Sequence, residues 1–472
     1  MTDYVIEKDT LGEVKVPADA YYGAQTVRAR DNFPVSGRRV PVRVTRALGS
    51  IKWAAARANL DLRLLDPKLA QAIEQAADEV ARGLLDDHFI VEVFQTGSGT
   101  SSNMNANEVI AKRANEILTG RRDAKKPVHP NDHVNLGQSS NDVFPTALHL
   151  AALGALHEEL YPALAVLESD LARKAQEFAD VVKVGRTHLQ DAVPVTLGQE
   201  FAGYTSMIAG CRRLLAAVQP ALEELPLGGT AVGTGINTHP EFPARAIAYL
   251  SERLGWPLKP MQNYFDGLGS RRALVALSGV LKTLACDLMK IANDLRLLSS
   301  GPRSGFAEIT LPELQPGSSI MPGKINPVIP EAVCQVAAQV MGNDVAINIA
   351  GQSGLLELNV MKPLIAANLL DSIALVANVS RLFAEKCIRG IQARRERCAQ
   401  LAEQSLSLAT ALVPRVGYDT AARIVRRAYL EHRTLREVAL EETNLSAQEI
   451  AQLLDPRNQL APSAERVGAG GG

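Results

Sequence analysis

Apolar and polar positions along this chain recur mostly with the period of an α-helix. The clearest stretch is 268–300, where Leu274, Leu277, Leu281, Leu284, Leu288, Ile291, Leu295 and Leu298 follow one another at spacings of three and four, the pattern of knobs-into-holes packing. The other faces carry Ala273, Ala276, Ala285 and Ala292, so the helix is apolar nearly all round and is expected inside a bundle. About thirty residues at ~1.5 Å each make a rod of roughly 45 Å. One subunit can hardly enclose that length on every side, so we expect a homo-oligomer with a shared helical core. Helical periodicity also predicts elements over 44–60, 67–82, 102–118, 145–178 (kinked at Pro162), 197–225, 330–350 and 362–385. Asp9 to Thr26 is irregular, with a short hairpin around Gly12. Beyond Gly390 the pattern becomes more charged and the helices shorter. The expected fold is mainly α in three parts: a mixed N-terminal domain (1–138), a central helical-bundle domain (139–392) and a small C-terminal helical domain (393–472), whose GAGGG tail is expected to be disordered. There is no internal repeat.

Polar clusters interrupt these helices. GSSIMPGKINP, Gly317–Pro327, cannot be regular structure, because its prolines remove donors and its glycines tolerate φ > 0. Ser318 or Ser319 is a candidate nucleophile or base, and Lys324 with Asn326 a candidate anion grip; a solvated surface loop is the plain alternative. QTGSGTSSN, Gln95–Asn103, is a hydroxyl-rich turn opening a helix, where free N–H groups and a positive dipole end favour an anion; the competing reading is N-capping by Ser101 or Ser102. In HPNDHVNLGQSSNDVFPT, Ser139, Ser140 and Asn141 stand near another helix start. VGRTHLQDAVPVTLGQE holds Thr187 and His188 in a third interruption. GGTAVGTG, Gly228–Gly235, lacks the Lys-Ser/Thr of a phosphate-binding loop and the strand context of a dinucleotide site, so no nucleotide is expected.

Composition narrows the function classes. With 472 residues, 46% hydrophobic and 21% charged, the chain is long enough for two or three domains with a large core. Aromatics make up only 4%, so Ala, Leu, Val and Ile must fill the interior, which favours close-packed helices. A net charge of −1 offers no basic field for nucleic acid or anionic lipid. Cys211, Cys286, Cys334, Cys387 and Cys398 show neither C-x-x-C spacing nor a disulfide framework, which fits a reducing compartment. MTDYVIEKDT has no basic region leading into an apolar one, and no apolar run approaches bilayer length. A cytoplasmic protein, or an organellar one already stripped of its targeting peptide, is expected.

Taken together, these segments resemble the fumarase/aspartase superfamily, and within it the class II fumarases. GSSIMPGKINP is close to the superfamily signature G-S-S-x-M-P-x-K-x-N-P, a long pattern with few free positions. LGEVKVPADAYYGAQT, QTGSGTSSNMNANEV, HPND, QSSND, GRTHLQDAVPVTLGQEF, GGTAVGTGINTHPEF and ELNV match segments expected in fumarases, so the likeness spans nearly the whole chain. It implies a homotetramer of three-domain subunits built on a twenty-helix core, with active sites assembled from three subunits. It also implies reversible hydration of fumarate to L-malate, a step of the tricarboxylic acid cycle, with no cofactor and no metal. By the same resemblance Ser318 is the base, with His188 the other catalytic position and Glu331 its charge partner. Ser98, Gly99, Thr100, Ser139, Ser140, Asn141, Thr187, Ser319, Lys324, Ile325 and Asn326 bind substrate. His129, Pro130, Asn131 and Asp132 match a secondary anion site.

The nearest rival is aspartate ammonia-lyase, which shares the fold and the carbanion chemistry. T-G-S-G-T carries the Ser98 hydroxyl where aspartases tend to have G-A-G-T, and Q-S-S-N-D and Gly229 also favour a fumarase. His133, Leu136 and Gly137 depart from the commoner fumarase pattern and bear on the secondary site. A catalytically dead structural relative would be expected to lack one of Ser318, Lys324, His188 or Glu331; all four are present.

Overall fold

The computed structural model describes residues 3–464; the GAGGG tail lies outside the described residues. In chain order the elements are β1 (Tyr4–Asp9), β2 (Gly12–Pro17), α1 (Ala24–Asn32), α2 (Val42–Asp61), α3 (Pro67–Ala81), α4 (Thr100–Thr119), α5 (Ser140–Ala155), α6 (Tyr161–Glu177), β3 (Val182–Thr187), β4 (Gln190–Thr196), α7 (Leu197–Leu222), α8 (Phe242–Leu254), α9 (Tyr264–Gly269), α10 (Arg272–Leu298), α11 (Val328–Gln352), α12 (Lys362–Lys386), α13 (Arg395–Gln404), α14 (Val413–Val416), α15 (Tyr418–Leu430), α16 (Leu435–Glu442) and α17 (Ala447–Leu453). The protein is mainly helical. The hairpin around Gly12 is β1–β2, antiparallel with Asp9 opposite Gly12.

Two compact units form, each from three separate stretches. The first comprises Met1–Pro162, Cys211–Cys286 and Val336–Asn378; the second comprises Ala163–Gly210, Asp287–Gln335 and Val379–Gly472. In the first, α2 packs on α3, α5 and α8, and α4 lies against α3 and α5, burying Leu48, Ile51, Ile73, Ile110 and Phe144 completely. Local signals place these helices. Asp66 caps α3, its carboxylate accepting from the Lys68 and Leu69 N–H groups, with Pro67 at the first position. Ser139 and Asp142 form a reciprocal capping box on α5. In the second unit, β3 packs against α13, and Leu408, Leu412, Ile424, Val438, Ile450 and Leu454 make a C-terminal core.

Several expectations are corrected. The 145–178 helix starts earlier, at Ser140, and a π-helical turn over Leu156–Leu160 divides it just before Pro162. All the leucines of α10 named above are buried, but the helix is not apolar all round. Arg272, Ala276, Thr283, Cys286, Lys290, Asn293 and Leu297 form an exposed stripe, because the helix carries polar side chains on that side; of the four alanines, Ala273, Ala285 and Ala292 are buried. The Val184–Glu200 interruption contains the β3–β4 hairpin, whose V-K-V alternation is a strand signal. Finally, Ser140–Glu177 and Lys362–Gly390 are long and apolar enough to cross a membrane, although their apolar windows are mostly buried inside the protein. Counting unbroken apolar runs missed them, since scattered polar residues interrupt both.

Candidate active site

Within the first unit, two helix starts carry the predicted hydroxyls to one place. Ser98 Oγ lies 2.8 Å from Thr100 Oγ1, and Thr100 Oγ1 lies 2.6 Å from Ser140 Oγ. The ladder joins the first residue of α4 to the first residue of α5, so the positive ends of both helices meet there. N-capping of α4 falls to neither Ser101 nor Ser102. Gln95 Oε1 accepts from the Ser102 N–H at 3.0 Å and from its hydroxyl at 2.9 Å, which leaves the Ser98 and Thr100 hydroxyls to the ladder. Gly99 turns the chain with φ 81°, a left-handed conformation that glycine adopts without strain. A Cβ there would lie 2.2 Å from the Phe144 ring.

Ser139 caps α5, and its N–H donates to Asp142 Oδ1 at 2.9 Å. Asp142 Oδ2 accepts from the N–H groups of Gly228 (2.9 Å) and Thr230 (3.0 Å), tying the GGTAVGTG loop to the helix start. Asn141 Nδ2 donates to the Ala231 carbonyl at 2.8 Å. Burial pushes the Asp142 carboxyl up, while the three main-chain donors and Lys52 pull it back. Lys52, fully buried on α2, donates to Asn135 Oδ1 and Gln138 Oε1, both at 2.9 Å. Burial lowers its ammonium to about 7, with Asp142 opposing the shift. Lys362 Nζ donates to the Asn141 carbonyl at 3.3 Å. Gln95, Lys52, Asp142 and Lys362 escaped the sequence reading. Two signals were available: a lone lysine in the apolar run I-K-W-A-A-A, and the capping-box spacing S-S-N-D.

The secondary-site residues fold on themselves. His129 Nδ1 accepts from the Asn131 and Asp132 N–H groups, both at 3.2 Å, and Pro130 is buried. Asp132 Oδ2 also lies 3.3 Å from His129 Nδ1. Two N–H groups aimed at that nitrogen make it an acceptor. His133 Nδ1 accepts the His129 N–H at 2.8 Å, and burial lowers the basicity of its ring.

The second unit carries the rest. His188 and Leu189 form the two-residue turn between β3 and β4, with φ of 56° and 60°, a type I′ geometry unusual for such side chains. Thr187 and His188 are both exposed at the tip. Beneath the tip, Arg186 stacks on Phe306 at 4.0 Å and donates to buried Glu308 Oε1 at 3.0 Å. Lys183 Nζ lies 2.8 Å from Glu200 Oε1 and 3.3 Å from Glu308 Oε2. Gly317–Pro327 is a loop closed on itself. The Gly317 N–H donates to the Lys324 carbonyl at 2.8 Å, and Asn326 Nδ2 to the Gly317 carbonyl at 2.7 Å. Ser318 Oγ accepts from the N–H groups of Ile320 (3.2 Å) and Met321 (2.9 Å). Two donors on one hydroxyl oxygen favour its alkoxide. Ser319, Lys324 and Ile325 are exposed, and Glu331 sits half-buried in the first turn of α11. Among the described residues, the side chains of His188, Lys324 and Glu331 make no hydrogen bond or ion pair within the chain. The expected Glu331–His188 partnership is therefore not formed inside one copy.

Known proteins supply the comparison. Residues 12–342 match the lyase family model, and residues 408–460 match that of the fumarase C C-terminus. The chain is 52% identical to the mitochondrial fumarate hydratase of Rattus norvegicus, covering 97% of this chain and 90% of the relative. It is 51% identical to the class II fumarate hydratase of Methylorubrum extorquens, covering 97% of each. The class II fumarase of Schistosoma mansoni superposes with a TM-score of 0.94 at 42% identity, over 96% of this chain and 98% of that one. A fumarate lyase:delta crystallin from Brucella melitensis bound to cobalt gives 0.94 at 48% identity, over 98% of this chain and 100% of that one. With the likeness spanning nearly the whole chain, the chain belongs to the class II fumarase family of lyases.

Proposed function

We infer that the protein is a hydro-lyase that interconverts fumarate and L-malate. The observation that carries this reading is the Ser98–Thr100–Ser140 hydroxyl ladder at two converging helix starts, a donor-rich grip for a carboxylate. The chemical problem is a proton on carbon next to a carboxylate, a very weak acid. Its removal leaves a carbanion whose charge spreads into that carboxylate, giving a dianionic aci-acid. Lys324 and Asn326 are the groups suited to hold that charge, the contribution usually largest in such sites. Ser318, its oxygen already holding two N–H donors, takes the proton from C3. The hydroxyl on C2 leaves as water after protonation from the opposite side, a role for His188 directly or through water. Ser139, Asn141, Thr187, Ser319 and Ile325 complete the carboxylate grip, and His129 to Asp132 form an entrance site for a second anion.

A homotetramer of three-domain subunits is part of the same reading. In its support, Ile320, Leu355 and Leu356 are 83%, 78% and 91% exposed in the single chain, more bare apolar surface than an isolated protein usually keeps. Among the described residues, the side chains of His188, Lys324 and Glu331 have no hydrogen-bond or ion-pair partner, which leaves them for neighbouring copies to engage. Five free cysteines support a reducing compartment such as the cytoplasm. Following fumarate absorbance near the ultraviolet edge, first with L-malate and then with L-aspartate, tests the assignment. Malate turnover alone is expected; turnover of aspartate alone would overturn it.

A further inference from the structure

Behind the hydroxyl ladder lies more buried positive charge than negative. Lys362, at the start of α12, is 0% exposed, as is Lys52, and Arg271 is 2% exposed with its Nε unpartnered. Lys362 ties the two anion-gripping segments together: its N–H donates to the Gly97 carbonyl at 3.2 Å, and its Nζ to the Asn141 carbonyl at 3.3 Å. Neither lysine has a carboxylate within ion-pair distance among the described residues. The carboxylate that acts on both is Asp142, whose two oxygens are already engaged by the Ser139, Gly228 and Thr230 N–H groups. A buried cation without a counter-ion is strongly disfavoured. Here burial, with Arg271 adding to it, drives the Lys362 ammonium well below the ordinary lysine range. Burial thus favours the neutral amine while the ladder is empty, and a negative charge placed on the ladder favours the ammonium.

We propose that Lys362 is the charge-selecting positioning residue of this site: acting through the Asn141 carbonyl and the Gly97–Thr100 turn, its buried ammonium is the counter-charge for a substrate carboxylate and sets the preference for dicarboxylates over monocarboxylates of the same shape. This rests on the fumarate hydratase reading and assigns a residue that the sequence motifs do not. The field of a buried cation acts on each charge the ligand carries, so its loss costs a dicarboxylate more than a monocarboxylate, whereas loss of packing is felt equally by both ligands.

The test compares two competitive inhibitors of one length, succinate with two carboxylates and succinamate with one, on the full-length enzyme and on Lys362→Met. The expected result is at least a tenfold weakening of succinate, less than threefold for succinamate, and a rise in KM for fumarate larger than the fall in kcat. Equal weakening of both inhibitors would reduce Lys362 to a structural role and overturn the proposal, as would no weakening of either. Lys362→Gln keeps a donor for the Asn141 carbonyl without the charge, and is read in the same way if the methionine variant does not fold. A wild-type inhibitor ratio in Lys362→Gln would also overturn it. A wild-type protein that neither hydrates fumarate nor binds succinate would instead sink the underlying functional reading.

Discussion

Replacing Gly99 by alanine perturbs the turn that aims the hydroxyl ladder, and the same substitution at Gly120 supplies its control. Both glycines flank α4 in left-handed backbone, at φ 81°, ψ 13° and φ 70°, ψ 11°, so alanine meets the same backbone penalty of roughly 1–2 kcal/mol at each end. Their surroundings differ. A Cβ at Gly120 meets nothing within 4 Å, whereas one at Gly99 falls 2.2, 2.3 and 2.6 Å from three carbons of the Phe144 ring. Phe144 is completely buried, and overpacking of that kind adds about 1–3 kcal/mol. Gly99→Ala should therefore lose about 2–5 kcal/mol in all, against about 1–2 for Gly120→Ala. The readouts are thermal midpoint and KM for fumarate. Gly99→Ala is expected to melt several degrees below Gly120→Ala, and to raise KM at least tenfold as Ser98 and Thr100 are displaced, while Gly120→Ala leaves KM unchanged. Adding Phe144→Leu to Gly99→Ala should recover part of the extra loss, because the two sites share one clash. Equal melting of the two alanine variants, or no recovery in the double variant, would refute the reasoning.

Other outcomes follow from the same geometry. Ser318→Ala should lower kcat by orders of magnitude while the melting midpoint stays put; near-normal turnover would assign the base to another group. Lys324→Ala should raise KM and lower kcat together, since its charge acts in ground and transition states alike, and an unchanged KM would remove it from contact with substrate. Lys52, lowered from 10.5 to about 7 by burial, disfavours the folded state by about 5 kcal/mol when charged. That penalty is fully present below about pH 7, where folded and unfolded chains both hold the proton, and fades towards pH 10.5 as only the unfolded chain holds it. Melting curves between pH 6.5 and 9 should therefore rise less steeply with pH in Lys52→Met than in the wild type; parallel curves would exclude the lysine as the source.

Much of the fold could be read from spacing alone. The leucines of α10 are buried as their period demands, and the capping signals at Asp66 and Ser139 start helices where they stand. The π-helical turn at Leu156–Leu160 and the β3–β4 hairpin could not be placed by a helical period, because each is a local departure from it. Candidate site residues that carry hydroxyls, amides or charge sit in dense polar motifs and stand out. Buried charges behind them do not: Lys52 and Lys362 read as ordinary helix lysines until burial is known.

By itself the amino-acid order determined the helical class, the loaded loop from Gly317 to Pro327, and the set of side chains able to handle a carboxylate, because periodicity, backbone restriction and functional-group chemistry are local properties. Only the tertiary structure decided that Thr100 and Ser140 meet, that Gln95 rather than a serine caps α4, that His188 stands at an exposed turn, and that Lys52 and Lys362 are buried with no carboxylate at ion-pair distance among the described residues. Each of these depends on distance and solvent exposure between residues far apart in the chain, and neither quantity is carried by any short stretch of sequence.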